Sequence, residues 1–279
     1  MWSYNNYTLA DELYHHGIKG MHWGIRRFQN KNGSLTNAGR KRYSDSEQTL
    51  HPTTKGVSVR SDGSISITKG TSLQRLSRGE SKALKDLTYA SVLEYDNAKY
   101  VKYIGGKGLF GGGRDKVVSL RANEDLKAPS VNEASRIMVD VLKRDSKFKN
   151  NFTDVFTGNH ISDKEFKKMI DDPSGSTAKA WYTMLNSQMG IDSQTNQSVS
   201  YTKKTFSEAL QKNGYNMVRD ENDYQSKVSK APVIILNPEK TLTITRVSDI
   251  TDDLRSQSKK TIKEYKKLGK DWCEKYVYK

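Results

Sequence analysis

Apolar and polar residues alternate along SISITKG (residues 64–70) and again along TLTITRV (residues 241–247). A two-residue period of this kind predicts strands buried on one face. Short runs at Leu73–Leu76, TYASV (88–92), KVVSLRA (116–122) and YNMVRD (215–220) extend the β reading. APVIILN (231–237) is apolar on both faces, as a central strand requires, and Pro238 closes it.

Between these runs the spacing changes to three and four. EYDNAKYVKYI (94–104) has helical spacing at Tyr95, Ala98 and Lys102. VNEASRIMVDVLKRD (131–145) collects Ala134, Ile137, Met138, Val141 and Leu142 on one face; Ser130 stands as N-cap, with Glu133 three residues on. Ser162 and Glu165 repeat that capping pattern before FKKMI, and AWYTMLNSQM (180–189) is a further amphipathic piece. YTKKTFSEALQKNG ends on Gly214, a good residue just past a helix. A last helix starts near Asp252, with a stripe of Ile262, Tyr265, Leu268, Trp272 and Tyr276. SRGESKALKDL (77–87) reads as helix or turn, and DENDYQSK (220–227) as a polar loop.

The chain of 279 residues is long enough for one large domain with appendages or two small ones. No apolar run approaches about 18 residues, so no membrane-spanning helix is expected. The N-terminus MWSYNNYTLADEL lacks the basic start and apolar middle of a secretory signal. The lone Cys273 excludes an internal disulfide and fits a reducing compartment. The net charge of +15 favours polyanions, but the basic residues are spread along the chain. That dispersion implies weak, non-specific nucleic-acid contact rather than a reading head.

One stretch has no clean period: HHGIKGMHWGIRRFQNKNGSLTNAGRKRY, residues 15–43. On physical grounds alone it could be a metal site, a nucleic-acid arm or an address label. His15, His16 and His22 fail the usual ligand spacings, and no cysteine lies near them, so no metal is expected. Trp23, Ile25 and Phe28 offer apolar anchors, while Gly17, Gly20 and Gly24 permit close backbone approach. GGKGLFGGGRD (105–115) is glycine-rich, but it precedes a strand and lacks the order of a P-loop. It reads as a flexible connection or a lid.

HGIKGMHWGIRRFQNKNGSLTNAGRKRY resembles a short motif of proteins from phages and integrated elements of Gram-positive bacteria, often on minor head or head-morphogenesis proteins. The resemblance implies that His16, Gly17, Lys19, Gly20, Trp23, Gly24, Arg26 and Arg27 bind a phage structural protein or a host protein. It also implies a location in the bacterial host cytoplasm, the virion, or both.

A second resemblance is distributed over residues 65–250. Arg75 in LQRLS, Tyr89 and Ser91 in TYAS before a helix with Asp96 and Tyr100, and Asp220, Glu221 and Asp223 in GYNMVRDEND look like the ADP-ribosyltransferase fold. In that split-sheet, NAD-binding family an early-strand arginine or histidine holds the NAD phosphates or ribose. A second strand braces the nicotinamide pocket, and a later acidic residue stabilises the oxocarbenium-like transition state. The resemblance implies Arg75, Tyr89 and Ser91 as NAD contacts, with Glu221 ahead of Asp220 and Asp223 as the acid. Many members carry an acid just before the last apolar strand, where this chain has Ala231 and Pro232.

The expected organisation is an α+β chain: an N-terminal docking arm (1–45), a linker (46–64), an ADP-ribosyltransferase-like split-sheet domain (65–250) with a helical insertion (146–200), and a C-terminal helix (251–279). The function implied is a phage- or element-encoded, NAD-dependent modifier of a host target. The alternatives are a non-enzymatic head or DNA-associated structural protein, and a binding inhibitor of host defence.

Overall fold

The chain divides into two units, residues 1–49 and 50–279. The structure, a computed structural model, describes residues 56–78, 84, 87–103, 114–154, 157–195, 200–227 and 229–268, all in the second unit. The docking segment, the glycines 105–113, Trp272 and Tyr276 lie outside the described residues.

The described residues form a mixed α/β architecture with antiparallel sheets. Six strands order as β7 (Met217–Arg219), β8 (Pro232–Ile235), β4 (Thr88–Ser91), β3 (Ser72–Ser77), β5 (Lys116–Ala122) and β9 (Leu242–Asp249). A three-stranded sheet orders as β1 (Val57–Val59), β2 (Ile65–Ile67) and β6 (Leu126–Ala128). The linker expected through residue 64 therefore ends earlier, because Val57 and Val59 pair with Ile67 and Ile65. β6 was not expected; its LKA is too short to show a period, and pairing with Ile65–Ile67 decides its conformation.

Strand alternation sorts the apolar residues onto two faces of the large sheet. Leu73, Ala90, Val118, Leu120, Val233, Ile235 and Met217 share a core with Val59, Ile65, Ile67 and Leu126 of the small sheet. Tyr89, Ile234 and Val218 face the other way and join a core built from helices. That helical layer comprises α2 (Val131–Arg144), α3 (Ser146–Asn151), α4 (Asp163–Asp171), α5 (Ser176–Thr195) and α6 (Tyr201–Lys212). The expected helical run after residue 146 is thus present, and its apolar stripe is what the sheet needs covered. Met138, Leu142, Phe148, Phe152, Tyr182, Leu185 and Phe206 are all buried in this core.

The caps read from sequence are formed. Ser130 Oγ accepts from Glu133 N at 3.2 Å at the head of α2. Ser162 and Glu165 make the reciprocal pair at α4, with Ser162 N donating to Glu165 Oε2 at 3.0 Å. Gly214 ends α6 with φ +83°, a conformation that costs a side-chain-bearing residue strain.

α1 (Glu94–Tyr103) and the last helix, α9 (Asp252–Lys267), pair through Tyr95 and Tyr265, whose ring centroids lie 5.6 Å apart, and through Ala98 and Ile262. The stripe expected on α9 holds at Ile262 and Tyr265 but not at Leu268, which is 55% exposed just past the helix. DENDYQSK is not a loop: Glu221–Gln225 form α7, capped by Asp220, whose Oδ1 accepts from Asp223 N at 3.1 Å. A short turn of helix, α8 (Pro238–Thr241), leads into β9.

Candidate functional site

The three places that carry the expected NAD and acid residues fall on β3, β4 and the β7–α7 junction. β3, β4, β8 and β7 are successive neighbours in the sheet. The register then separates the expected partners. Gln74 pairs with Ser91, and Arg75 pairs with Val118. Directly paired residues point to one side, so Ser91 and Tyr89 face the helices while Arg75 faces the small sheet. Arg75 is 7% exposed, and burial draws its guanidinium below the ordinary value. The expected convergence of Arg75 with Tyr89 and Ser91 is not formed, because a two-residue period sends neighbouring strand positions to opposite faces.

Glu221 has a different role from the one expected. Its two carboxylate oxygens accept from Arg219 Nε and Nη2 at 2.7 and 2.9 Å, with both side chains buried. The Arg219 guanidinium lies 3.8 Å from the Tyr224 ring centroid. Asn186 of α5 locks the same junction: its Oδ1 accepts from Glu221 N, and its Nδ2 donates to Arg219 O, each at 2.7 Å. A carboxylate bound in this fork is committed to holding α7 against β7. It does not reach into a cleft from a polar loop, because the segment is helical.

Asp220 and Asp223 do approach Tyr89. The Tyr89 and Tyr100 hydroxyls are hydrogen-bonded to one another, and Tyr100 OH donates to Asp223 Oδ2 at 2.5 Å. The two rings meet edge-on at 5.4 Å. Tyr100 comes from α1, Tyr89 from β4 and Asp223 from α7, so three distant segments build one buried chain of hydroxyls and carboxylate. Burial, and next the Tyr100 and Asp223 charges, hold the Tyr89 hydroxyl far above the usual range. Asp220 is fully buried, and its Oδ2 has no hydrogen-bond partner among the described residues. Burial first, and the Asp223 charge second, push its carboxyl well above the usual carboxylate range. Gly190 of α5 allows this approach, since a Cβ there would stand 2.7 Å from Asp220 Oδ2.

Ser91 is taken up by Asn97 of α1, with which its hydroxyl is hydrogen-bonded. Asp96, also fully buried, holds the segment before β8: Ser229 Oγ donates at 2.6 Å, and the Lys230 and Ala231 amides at 2.9 Å. The position before the last apolar strand, where a carboxylate was missing from the sequence, is thus served by a carboxylate from α1, used for structure.

The sequence reading missed Arg114. It is partly buried, and Arg78, Asp223, Tyr89 and Tyr100 all act on its charge. Its only sequence signal is its place between the glycines and β5. No group of three or more metal-ligating side chains occurs among the described residues. No described helix is long and apolar enough to cross a membrane.

No curated protein and no solved structure matches the chain. Residues 6–30 match a family described as a family of unknown function (DUF7211), a match that lies within the N-terminal unit and contains HGIKGMHWGIRR.

Proposed function

We propose that the chain couples an N-terminal docking peptide to an ADP-ribosyltransferase-like domain that takes NAD at the Tyr89 face of its large sheet. The protein would be encoded by a phage or mobile element and directed to a virion or host protein by residues 15–43. The observation that carries the reading is the buried Tyr89–Tyr100–Asp223 chain with Asp220 beside it. Tyr89, Tyr100 and Asp220, each held above its ordinary value by burial, converge there beside Asp223, and such clusters concentrate at functional sites. Asp223 replaces Glu221 as the acid, because Glu221 is held by Arg219. Tyr89 keeps its assigned place against the nicotinamide ring, and Arg75 loses its place on the NAD phosphates.

The test is calorimetry with NAD and a nicotinamide-release assay on the full chain and on Asp223→Asn. NAD binding in both, with turnover only in the parent, is the expected result. No heat at millimolar NAD would remove the enzyme reading.

A second reading is favoured by one specific set of contacts: Arg75 turned to the other core, Glu221 in an ion pair and Asp96 used as a cap. On this reading the domain is a non-enzymatic head-associated or binding component. The family match at residues 6–30 is compatible with both readings, since it falls within the N-terminal unit. Deleting residues 1–45 should leave a folded remainder that no longer enters particles or complexes. A remainder that unfolds would contradict the docking role.

A further inference from the structure

We propose that the Asp220 carboxyl is a proton lock on α7: holding its proton it seats the helix on α5, and giving it up releases the helix and Asp223 with it. The lock lies beside the Tyr89–Tyr100–Asp223 chain but needs no ligand, so it stands or falls apart from the NAD reading. Asp220 Oδ1 is in use, since it accepts from Asp223 N at 3.1 Å as the cap of α7. Oδ2 has no hydrogen-bond partner among the described residues, and the residue is 0% exposed. Gly190 sets that oxygen against the α5 backbone, because a Cβ there would stand 2.7 Å from Oδ2 and 3.3 Å from Cγ. A carboxylate in such a place has neither water nor a counter-charge on that oxygen, and a buried acid so placed keeps its proton instead.

The surroundings favour the neutral form. α7 brings Glu221 and Asp223, β7 brings Arg219, α5 brings Tyr182, β4 brings Tyr89 and α1 brings Tyr100. β8, whose Pro232 carbonyl accepts from Asp220 N at 3.0 Å, carries no titratable side chain. The cation of this set, Arg219, is forked onto both carboxylate oxygens of Glu221. Burial first, and the Asp223 charge second, push the Asp220 carboxyl up to about 7. A released α7 returns it to water and to its ordinary value of 3.8, so opening gives off one proton. The lock is therefore complete below 3.8 and is lost as pH rises through about 7. Ionised, Asp220 repels Asp223 and sets a bare charge on the α5 backbone. Moving α7 outward hydrates both carboxylates and breaks the Glu221 N bond to Asn186 and the Tyr100 bond to Asp223.

The experiment follows amide hydrogen exchange of the full chain, without NAD, at pH 5 and pH 7.5 in the parent, Asp220→Asn and Glu94→Gln. In the parent, protection at Glu221–Gln225, corrected for the intrinsic exchange rate, should fall about tenfold per pH unit up to about 7, the slope of one released proton, while that of α2 does not. Asn keeps the cap and has the shape of the protonated acid, so protection in Asp220→Asn should be the same at both pH values. Glu94 titrates in the same range but bonds Tyr265, so Glu94→Gln should follow the parent at α7. Equal protection of α7 at the two pH values in the parent, the same fall in Asp220→Asn, or an equal fall in α2 would each overturn the lock. If Asp220→Asn does not fold, carboxyl 13C titration of the parent and Asp223→Asn decides the matter. An aspartate that titrates near neutrality and moves to lower pH in Asp223→Asn is the expected result, and no aspartate titrating above about pH 6 would overturn the proposal.

Discussion

Replacing Glu221 by Gln separates a structural carboxylate from a catalytic one. In the folded chain Arg219 and Glu221 are 5% and 3% exposed and joined by two bonds of 2.7 and 2.9 Å. Gln keeps the shape but removes the charge and replaces one acceptor oxygen by an NH2 group, leaving a buried guanidinium uncompensated. Arg219 Nη1 has no hydrogen-bond partner among the described residues. Breaking a buried pair by removing one member typically costs about 3–5 kcal/mol. The stack on Tyr224 survives the change and retains about 1 kcal/mol of that, so about 3 kcal/mol is the expected loss. For a domain of this size that lowers Tm by about 6–12 °C. The assay is thermal and urea unfolding of the parent, Glu221→Gln, Arg219→Met and the double variant Arg219→Met/Glu221→Met. Each single change should destabilise strongly, and the double change should cost less than the sum of the two, since neither charge is then stranded. A Glu221→Gln protein that melts with the parent yet has lost nicotinamide release would refute this reasoning and return Glu221 to the role of acid.

Asp96→Ala should cost about 3 kcal/mol or more, because Ser229 Oγ and two backbone amides lose their acceptor inside the protein; amide exchange should rise first at Lys230 and Ala231. Gly214→Ala should cost about 1 kcal/mol by urea unfolding, purely from backbone strain, since φ is +83° and nothing lies within 4 Å of the added Cβ. Glu94, pushed up to about 7 by burial, gives a pH signature. Its folded pKa exceeds its unfolded value of 4.5, so its contribution is fully present below about pH 4.5 and is lost as pH rises through 7. The site is partly exposed and bonded to Tyr265, so the loss is discounted to about 1 kcal/mol. Glu94→Gln should therefore melt with the parent at pH 4.5 and above it at pH 8, and equal melting at both would contradict the assignment.

Most elements were legible because their periods are strong and their ends carry chemistry. α2 has Ser130 as its cap and five apolar positions on one face; α6 has Gly214; β8 is apolar on both sides, as a strand between two neighbours must be. β1 and β6 were not legible, since three residues cannot establish a period and each is a strand only because β2 lies beside it. α7 was read as a loop for a related reason. Glu221–Gln225 carries four charged or amide side chains among five residues and no apolar stripe. What makes it a helix is tertiary: the Asp220 cap, the bond from Glu221 N to Asn186, and the fork to Arg219.

The candidate site was half legible for a reason that sequence spacing hides. Residue type singled out Tyr89, Asp220 and Asp223; the fold joins Tyr89 to Asp223 through Tyr100, and Asp220 caps the helix that carries Asp223. Face was the missing variable. Arg75 and Tyr89 sit on neighbouring strands, yet the Gln74–Ser91 pairing fixes Arg75 on the side away from Tyr89. A slip of one residue in β3 would have reversed that, and no feature of LQRLS alone decides it. The decision is made by β5, where Val118 and Leu120 must join Leu73 in the core under the small sheet, and Arg75 is carried with them.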